Sequence, residues 1–424
     1  MNLYAKAKTL LSQQLIPGYE QEEIHETLHT LENLLEQLQP PETNKVLKRL
    51  EDVYFIAETQ RLNPEISSRI REGLEYLTIH ASDVLERFNT PTKQHKTAKL
   101  LVHTNNLTGT HMSFLGANKE FTHIPYIAVT SNKETLEAFK KNKLEGHIDK
   151  LYKVRTRTSN EEKQWNLQAV GIPQAWSVNA GEGVRIGVID TGIDYRHKEI
   201  HSCFENNKGY NFVENNNNPL DDNGHGTHVA GTVAGINTGV APNSTLYALK
   251  VLNESGRGYE SDILRAAEWA IDHQLHLLNA SLGSSKSSPA EAAMIQALTK
   301  NNIVLIASAG NSADTGYMYP ASYEGVISVA AVDKNNKRAN FSQINDRLSV
   351  SAPGVNIYSS TPNDGYRSFN GTSMAAPHVT GAAAILYAHN QEADIKETLM
   401  KTSKALGEET LYGAGIIQAH KAVQ

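Results

Sequence analysis

The chain has a single cysteine, Cys203, in 424 residues. That excludes an internal disulfide framework, and the residue reads as a small core side chain. No stretch of about 18 apolar residues occurs, which excludes a helical membrane span. Nor is there a surplus of positive charge: 40 Lys and Arg stand against 46 Asp and Glu, a net charge of −6. Neither nucleic acid nor an anionic membrane is therefore an expected partner. Met1 to Gln14 lack a continuous apolar run after their lysines and lack a small-residue cleavage signal, so the sequence predicts no secretory peptide and a cytoplasmic location. What is present is globular composition, 39% hydrophobic and 20% charged, at a length that implies two or three domains.

Three segments follow one another. Ile24, Leu28, Leu31, Leu35 and Leu38 recur at steps of four and three, the stripe of an amphipathic helix. Pro40-Pro41 ends it, and Leu47, Leu50, Tyr54 and Ala57 begin another. Asn63-Pro64-Glu65 is a helix start, with Ile66, Ile70, Leu74, Leu77, Ala81, Val84 and Phe88 on one face after it. Residues 1–95 thus read as a helical bundle segment of unknown role. Its His25 and His29 have no acidic or cysteine partner clustered with them and read as surface residues. Thr90 to Lys96 is a polar linker. Strands at Leu100–Val102, Ile124–Val129 and Ile148–Val154, with a helix at Lys133–Lys141, make residues 96–158 a small α+β unit.

From Gln164 the pattern becomes repeated strand and helix. Strands are expected at Val184–Ile189, Leu246–Val251, Leu275–Leu278, Ile303–Ala307 and Val326–Val332, with helices at Asp262–His273 and Pro289–Lys300. Apolar strands alternating with helices predict an α/β parallel sheet covered on both faces, in a domain of residues 159–424. Sites in such folds lie at the carboxyl ends of the strands.

Four residues stand at such places. Asp190 closes Arg185-Ile186-Gly187-Val188-Ile189-Asp190; alone it reads first as a turn cap. His225 sits in Asp222-Asn223-Gly224-His225-Gly226-Thr227-His228, where the glycines allow tight backbone packing around the imidazole. The His225 and His228 pair lacks a third ligand and the intervening Glu of a zinc protease, which argues against a metal. Ser373, in Asn370-Gly371-Thr372-Ser373-Met374-Ala375-Ala376-Pro377-His378, opens an Ala-rich helix. It is either a cap or a nucleophile favoured by the helix dipole and nearby N–H groups. Asn311 follows the strand that ends in Ser308-Ala309-Gly310 and offers an uncharged donor suited to a transient oxyanion.

The order Asp, His, Ser, the strings Gly-His-Gly-Thr-His-Val-Ala-Gly and Gly-Thr-Ser-Met-Ala-Ala-Pro-His, and Ser-Ala-Gly-Asn between them resemble the subtilisin family of serine proteases. The resemblance runs from about Trp165 to the C-terminus and includes Tyr319-Pro320-Ala321 and Val326-Ile327-Ser328-Val329. It implies a serine endopeptidase with Ser373 as nucleophile, His225 as general base, Asp190 orienting the histidine, and Asn311 with the Ser373 N–H holding the oxyanion.

It also implies that an extended protein or peptide substrate is gripped as an added strand between Gly256-Arg257-Gly258 and Ser281-Leu282-Gly283. The primary pocket would be lined by Ala309, Gly310 and Gly283 above Met318, favouring large apolar side chains, while Glu260 and Arg257 add a charge preference further out. Residues 99–158 resemble the family's inhibitory propeptide in pattern and position. This predicts a self-inhibited zymogen that cuts itself between about Tyr152 and Trp165, its own propeptide being a partner beside the substrate. The alternative within enzymes is a dedicated processing protease for one peptide precursor; outside enzymes it is a binding protein on an inactive scaffold. No cofactor is expected. The family's calcium loop, between Gly235 and Pro242, is short here, although Glu199 occupies the place of that site's carboxylate; calcium elsewhere is left open.

Overall fold

The computed structural model describes residues 98–104, 119–131, 146–153, 157–159 and 164–424. The expected helices of residues 1–95 and the helix at Lys133–Lys141 lie outside these. The chain divides into two units, residues 1–120 with 126–149, and residues 121–125 with 150–424.

In the first unit, β1 (Ala98–His103), β2 (Lys119–Glu120), β3 (Tyr126–Ser131) and β4 (Gly146–Ile148) form an antiparallel sheet in the order β2-β3-β1-β4. Leu101 and Val102 of β1 and Ile127 and Val129 of β3 are buried; Val102, Ile127 and Val129 share one pleated face and Leu101 lies on the other. The single strand expected over Ile148–Val154 is instead two. β4 ends at Ile148, and after Asp149-Lys150 a separate strand, β5 (Leu151–Lys153), joins a different sheet. Alternation along the sequence carried no sign of this break, because Lys150 is held by distant acidic residues described below.

The second unit is built on a seven-stranded, all-parallel sheet. After β6 (Arg157–Ser159) come β7 (Arg185–Asp190), β8 (Gly209–Asn211), β9 (Thr245–Lys250) and a short β10 (Arg257–Tyr259). They are followed by β11 (Leu277–Ala280), β12 (Val304–Ser308), β13 (Ile327–Val332), β14 (Val350–Pro353), β15 (Ile357–Thr361) and β16 (Gly365–Asn370). The large sheet runs β14-β13-β12-β11-β7-β9-β8. Its central strands are buried along their length, which is why they read as apolar runs without alternation. The chain winds one way from β7 to β9 and the other way from β7 to β11. The switch point therefore lies between β7 and β11, where a ligand crevice is expected beyond the carboxyl ends.

Four helices matter to that crevice: α1 (His225–Ala234), α2 (Glu260–Asp272), α3 (Pro289–Lys300) and α4 (Thr372–His389). The α4 helix is the packing centre. Every residue from Thr372 to Leu386 is buried, and its alanines and glycine let α1 and the sheet approach closely. A β-carbon on Gly381 would stand 2.4 Å from Val240 Cβ. No helix among the described residues is long and apolar enough to cross a membrane.

Candidate active site

Asp190 is the last residue of β7, at the switch point, and is fully buried. His225 is the first residue of α1, and its Nδ1 lies 2.7 Å from Asp190 Oδ1 and 2.9 Å from Oδ2. The carboxylate also accepts the Thr191 N–H at 2.7 Å. Gly226 makes this contact possible: a β-carbon there would fall 2.1 Å from the Gly192 carbonyl oxygen and 3.2 Å from Asp190 Oδ1. With Nδ1 engaged by the carboxylate, Nε2 is the nitrogen left to accept a proton, and it has no partner among the described residues.

Two further residues, Asp221 and Lys250, brace this pair. Asp221 is a buried hub that accepts from Thr191 Oγ1 (2.8 Å), from the Asn223 and Gly224 N–H groups (3.0 and 2.9 Å), and from the Thr227 N–H (3.0 Å) and hydroxyl (2.6 Å). It thereby satisfies orphan donors at the start of α1, an acidic group where the helix dipole favours one. Lys250, at the end of β9, is 2% exposed, and its ammonium donates to the Thr191 and Leu252 carbonyls (2.6 and 3.0 Å) and to Asp222 (2.7 Å). The Asp221-Asp222-Asn223 stretch is accordingly a turn whose carboxylates are consumed internally.

Ser373 lies in the first turn of α4 and is 4% exposed. Its hydroxyl donates to the Ser281 carbonyl at 3.1 Å, while Ser281 Oγ donates to the Ser373 carbonyl at 2.8 Å. The second bond depends on Pro377. Having no N–H, the proline leaves the carbonyl four residues earlier without its helical donor, and Ser281 supplies one. Asn311 is oriented by its oxygen: Oδ1 accepts from the Thr372 N–H and hydroxyl, both at 2.9 Å. The amide nitrogen is left as a donor, and a β-carbon built on Gly371 would be 3.5 Å from it and 3.6 Å from the Ser373 nitrogen. The Asn311 amide nitrogen and the Ser373 nitrogen thus lie close to one point at Gly371, a placement suited to an oxyanion.

The other histidines of the two strings are structural. His228 stacks on Phe369 (4.2 Å between centroids) and bonds the Arg367 carbonyl at 3.0 Å; burial drives its pKa down to about 3. His378 bridges the Met374 carbonyl (2.8 Å) and Asn166 (2.7 Å), and burial lowers it to about 4.

The residues expected to bind substrate lie at β10 and in the segments that follow β11 and β12. Arg257 and Gly258 lie in β10, preceded by Gly256. Ser281 is hydrogen-bonded to Ser373, and Leu282 is buried. Met318 stands between two glycines, 3.2 Å from a β-carbon placed on Gly283 and 2.5 Å from one on Gly310, so either glycine is needed for the room beside it. Ala309 is buried next to Gly310, whose N–H donates to Thr372 Oγ1 at 3.1 Å.

A buried Asp–His couple, a helix-borne serine and an oriented Asn amide on a parallel sheet are the parts of a serine hydrolase. The profile of the subtilase family matches residues 181–415. This chain belongs to the subtilase family. It is 38% identical to an alkaline protease of Alkalihalobacillus alcalophilus over 314 residues, 72% of this chain and 81% of the relative. It is 38% identical to a thermostable alkaline protease of Halalkalibacterium halodurans over 317 residues, 72% and 85% of the two chains. With subtilisin DY of Bacillus licheniformis it shares 43% over 256 residues, 58% and 92%. The subtilase is thus a serine endopeptidase of a family made as propeptide precursors.

The relatives also correct one expectation. They are secreted alkaline proteases, which overturns the cytoplasmic location expected from the lack of an apolar run in Met1 to Gln14; the single cysteine is as compatible with an extracellular protein as with an intracellular one.

The subtilase family includes calcium binders, and Glu199 is the residue to test. Its Oε1 accepts the Asn237 and Thr238 N–H groups at 2.6 and 2.7 Å, and its Oε2 accepts from Asn237 Nδ2 (3.1 Å) and the Tyr366 hydroxyl (2.9 Å). Burial pushes this carboxyl up, but the donors from Asn237, Tyr366 and Thr238 outweigh it and hold it below its usual range. Four donors pointing at both oxygens occupy the lone pairs a cation would need, so the short loop is held by the carboxylate itself and the residues there do not fit calcium.

Proposed function

We propose that this subtilase is made as a precursor whose own strands β5 and β6 pair along the catalytic groove, and that Ser373, His225, Asp190 and Asn311 cut the chain between them before turning to other proteins. The observation that carries this reading is a pair of antiparallel strand pairings between the precursor segment and the catalytic domain. β5 pairs with β10, with Lys153 opposite Arg257, Tyr152 opposite Gly258 and Leu151 opposite Tyr259. β6 pairs with β16, the strand that leads into Ser373, with Arg157 opposite Asn370, Thr158 opposite Phe369 and Ser159 opposite Ser368. Asn370 precedes Ser373 by three residues. We therefore assign the cut to a bond between Lys153 and Arg157, inside the wider window that the sequence predicts.

In this scheme His225 Nε2 takes the Ser373 proton as Oγ leaves the Ser281 carbonyl and attacks. Asp190 keeps the Nδ1 proton in place and stabilises the imidazolium. The oxyanion is met by Asn311 Nδ2 and the Ser373 N–H. The acyl-enzyme then forms as His225 protonates the leaving amine, and water repeats the sequence in reverse. Backbone pairing along β10 gives affinity without demanding a particular side chain at every position, which supports a general endopeptidase.

The test is to incubate the full-length wild type and its Ser373→Ala variant and map new termini by mass spectrometry. The reading requires a cut between Lys153 and Arg157 in wild type alone. An uncut wild type that is fully active, or an identical cut in the variant, contradicts it.

A further inference from the structure

Building on the leader reading above, we propose that the buried carboxylates of Glu260 and Glu291 form a polar specificity pocket in the groove. It accepts peptides that present a tyrosine opposite Gly258 and a lysine or arginine two residues earlier. The chain itself supplies the occupant. Tyr152 is fully buried, and its hydroxyl donates to Glu291 Oε1. The Lys150 ammonium donates to Glu291 Oε2 at 2.8 Å and to the Lys286 carbonyl at 2.9 Å, and lies 3.4 Å from Glu260 Oε1. It also reaches the Tyr152 hydroxyl at 3.2 Å. The backbone is fixed as well, with the Glu260 N–H donating to the Lys150 carbonyl at 2.8 Å.

The pocket walls belong to the catalytic domain and remain when the segment leaves. Glu260 opens α2 and Glu291 sits in the first turn of α3, where helix dipoles favour negative charge. Ser288 caps α3 by accepting the Glu291 N–H at 3.1 Å and donates its hydroxyl to Glu260. Tyr323 locks Ser288 in turn, donating to its carbonyl at 2.9 Å and accepting its N–H at 2.8 Å. Both carboxylates are 1% exposed.

This is a costly pocket for an apolar side chain. Burial is the largest influence on Glu291 and raises its carboxyl, while Lys150 opposes it and Glu260 adds to it. An occupant without donors leaves the buried Glu291 carboxylate beside a second carboxylate without the phenol and the cation that meet it here. Sites built to hydrogen-bond a hydroxyl reject the analogue that lacks it far more strongly than apolar pockets discriminate size. The outer subsite is therefore polar, in contrast to the apolar space between Gly283, Gly310 and Met318.

The experiment uses synthetic peptides with the sequence of residues 148–159, in which Tyr152 is kept or replaced by phenylalanine and Lys150 is kept or replaced by methionine. They are offered to the self-processed protein prepared from the full chain. The Tyr/Lys peptide should exceed the Phe/Met peptide in kcat/KM by at least about tenfold. Glu291→Leu should shrink that ratio to about twofold or less, and Glu291→Gln, which keeps a hydrogen-bonding group and the fold, should leave it between. Equal rates on both peptides by an active wild type would overturn the pocket. Failure to cleave any peptide would instead count against the endopeptidase reading. In that case a readout independent of activity decides: Ser373→Ala full chain carrying Lys150→Met and Tyr152→Phe should be cut by added trypsin between Lys153 and Arg157 at least about fivefold faster than Ser373→Ala alone. Equal protection there would also overturn the proposal.

Discussion

Ser281 and Ser373, 92 residues apart in sequence, are tied by reciprocal hydrogen bonds, each hydroxyl donating to the other's backbone carbonyl. The link places the end of β11 against the first turn of α4, so the segment expected to pair with substrate and the expected nucleophile move as one piece. Asn279 Nδ2 adds a bond to Ser281 Oγ at 2.9 Å. Ser281→Ala should leave the Ser373 carbonyl buried without a donor, because Pro377 cannot provide one. The expected loss is about 1–3 kcal/mol of stability by denaturant titration, with turnover falling and substrate binding little changed.

Asn311→Leu tests the donor beside Ser373. The substitution removes the amide nitrogen and also the oxygen that accepts from Thr372. Steady-state kinetics should show kcat lowered by roughly a hundredfold or more with KM nearly constant, because the bond is made only as negative charge develops. A change confined to KM would contradict the assignment.

Much of this arrangement was legible in the sequence, and the reason is local. Asp190, His225 and Ser373 each sit where a strand ends or a helix begins, so Gly, Thr and small residues cluster around them within a few positions. The buried strands announce themselves as apolar runs, and α3 begins at Pro289 and ends at Lys300, as its proline and periodicity predict. What escaped is what depends on long-range closure. Asp221 looks like one of two turn acids until Thr191 and Thr227 converge on it. The break at Asp149-Lys150 is set by Glu291, 141 residues away. Glu291 itself reads as an ordinary first-turn acid on a helix.

Glu199 gives a pH signature. Its carboxyl is held below its unfolded value, for which 4.5 is the reference. Its contribution is therefore fully present above that value and is lost as pH falls through the lower folded one. Wild type should lose stability relative to Glu199→Gln on acidification below about pH 4.5. Parallel stability curves for the two proteins down to acid unfolding would contradict the bonding described.

The same four donors bear on metal dependence. Because Asn237, Thr238 and Tyr366 already fill the Glu199 oxygens, chelator should lower the melting temperature less than it does for subtilases carrying the full loop. A large fall in Tm restored by calcium would show that another site holds the ion.

The central claim is that peptide hydrolysis runs through the Ser373 hydroxyl. Its most direct test is casein hydrolysis by wild type and Ser373→Ala, with the melting temperature of each measured alongside. The account predicts an unchanged melting temperature and a residual rate below about one part in a thousand. Turnover above that level by a folded Ser373→Ala protein would contradict it.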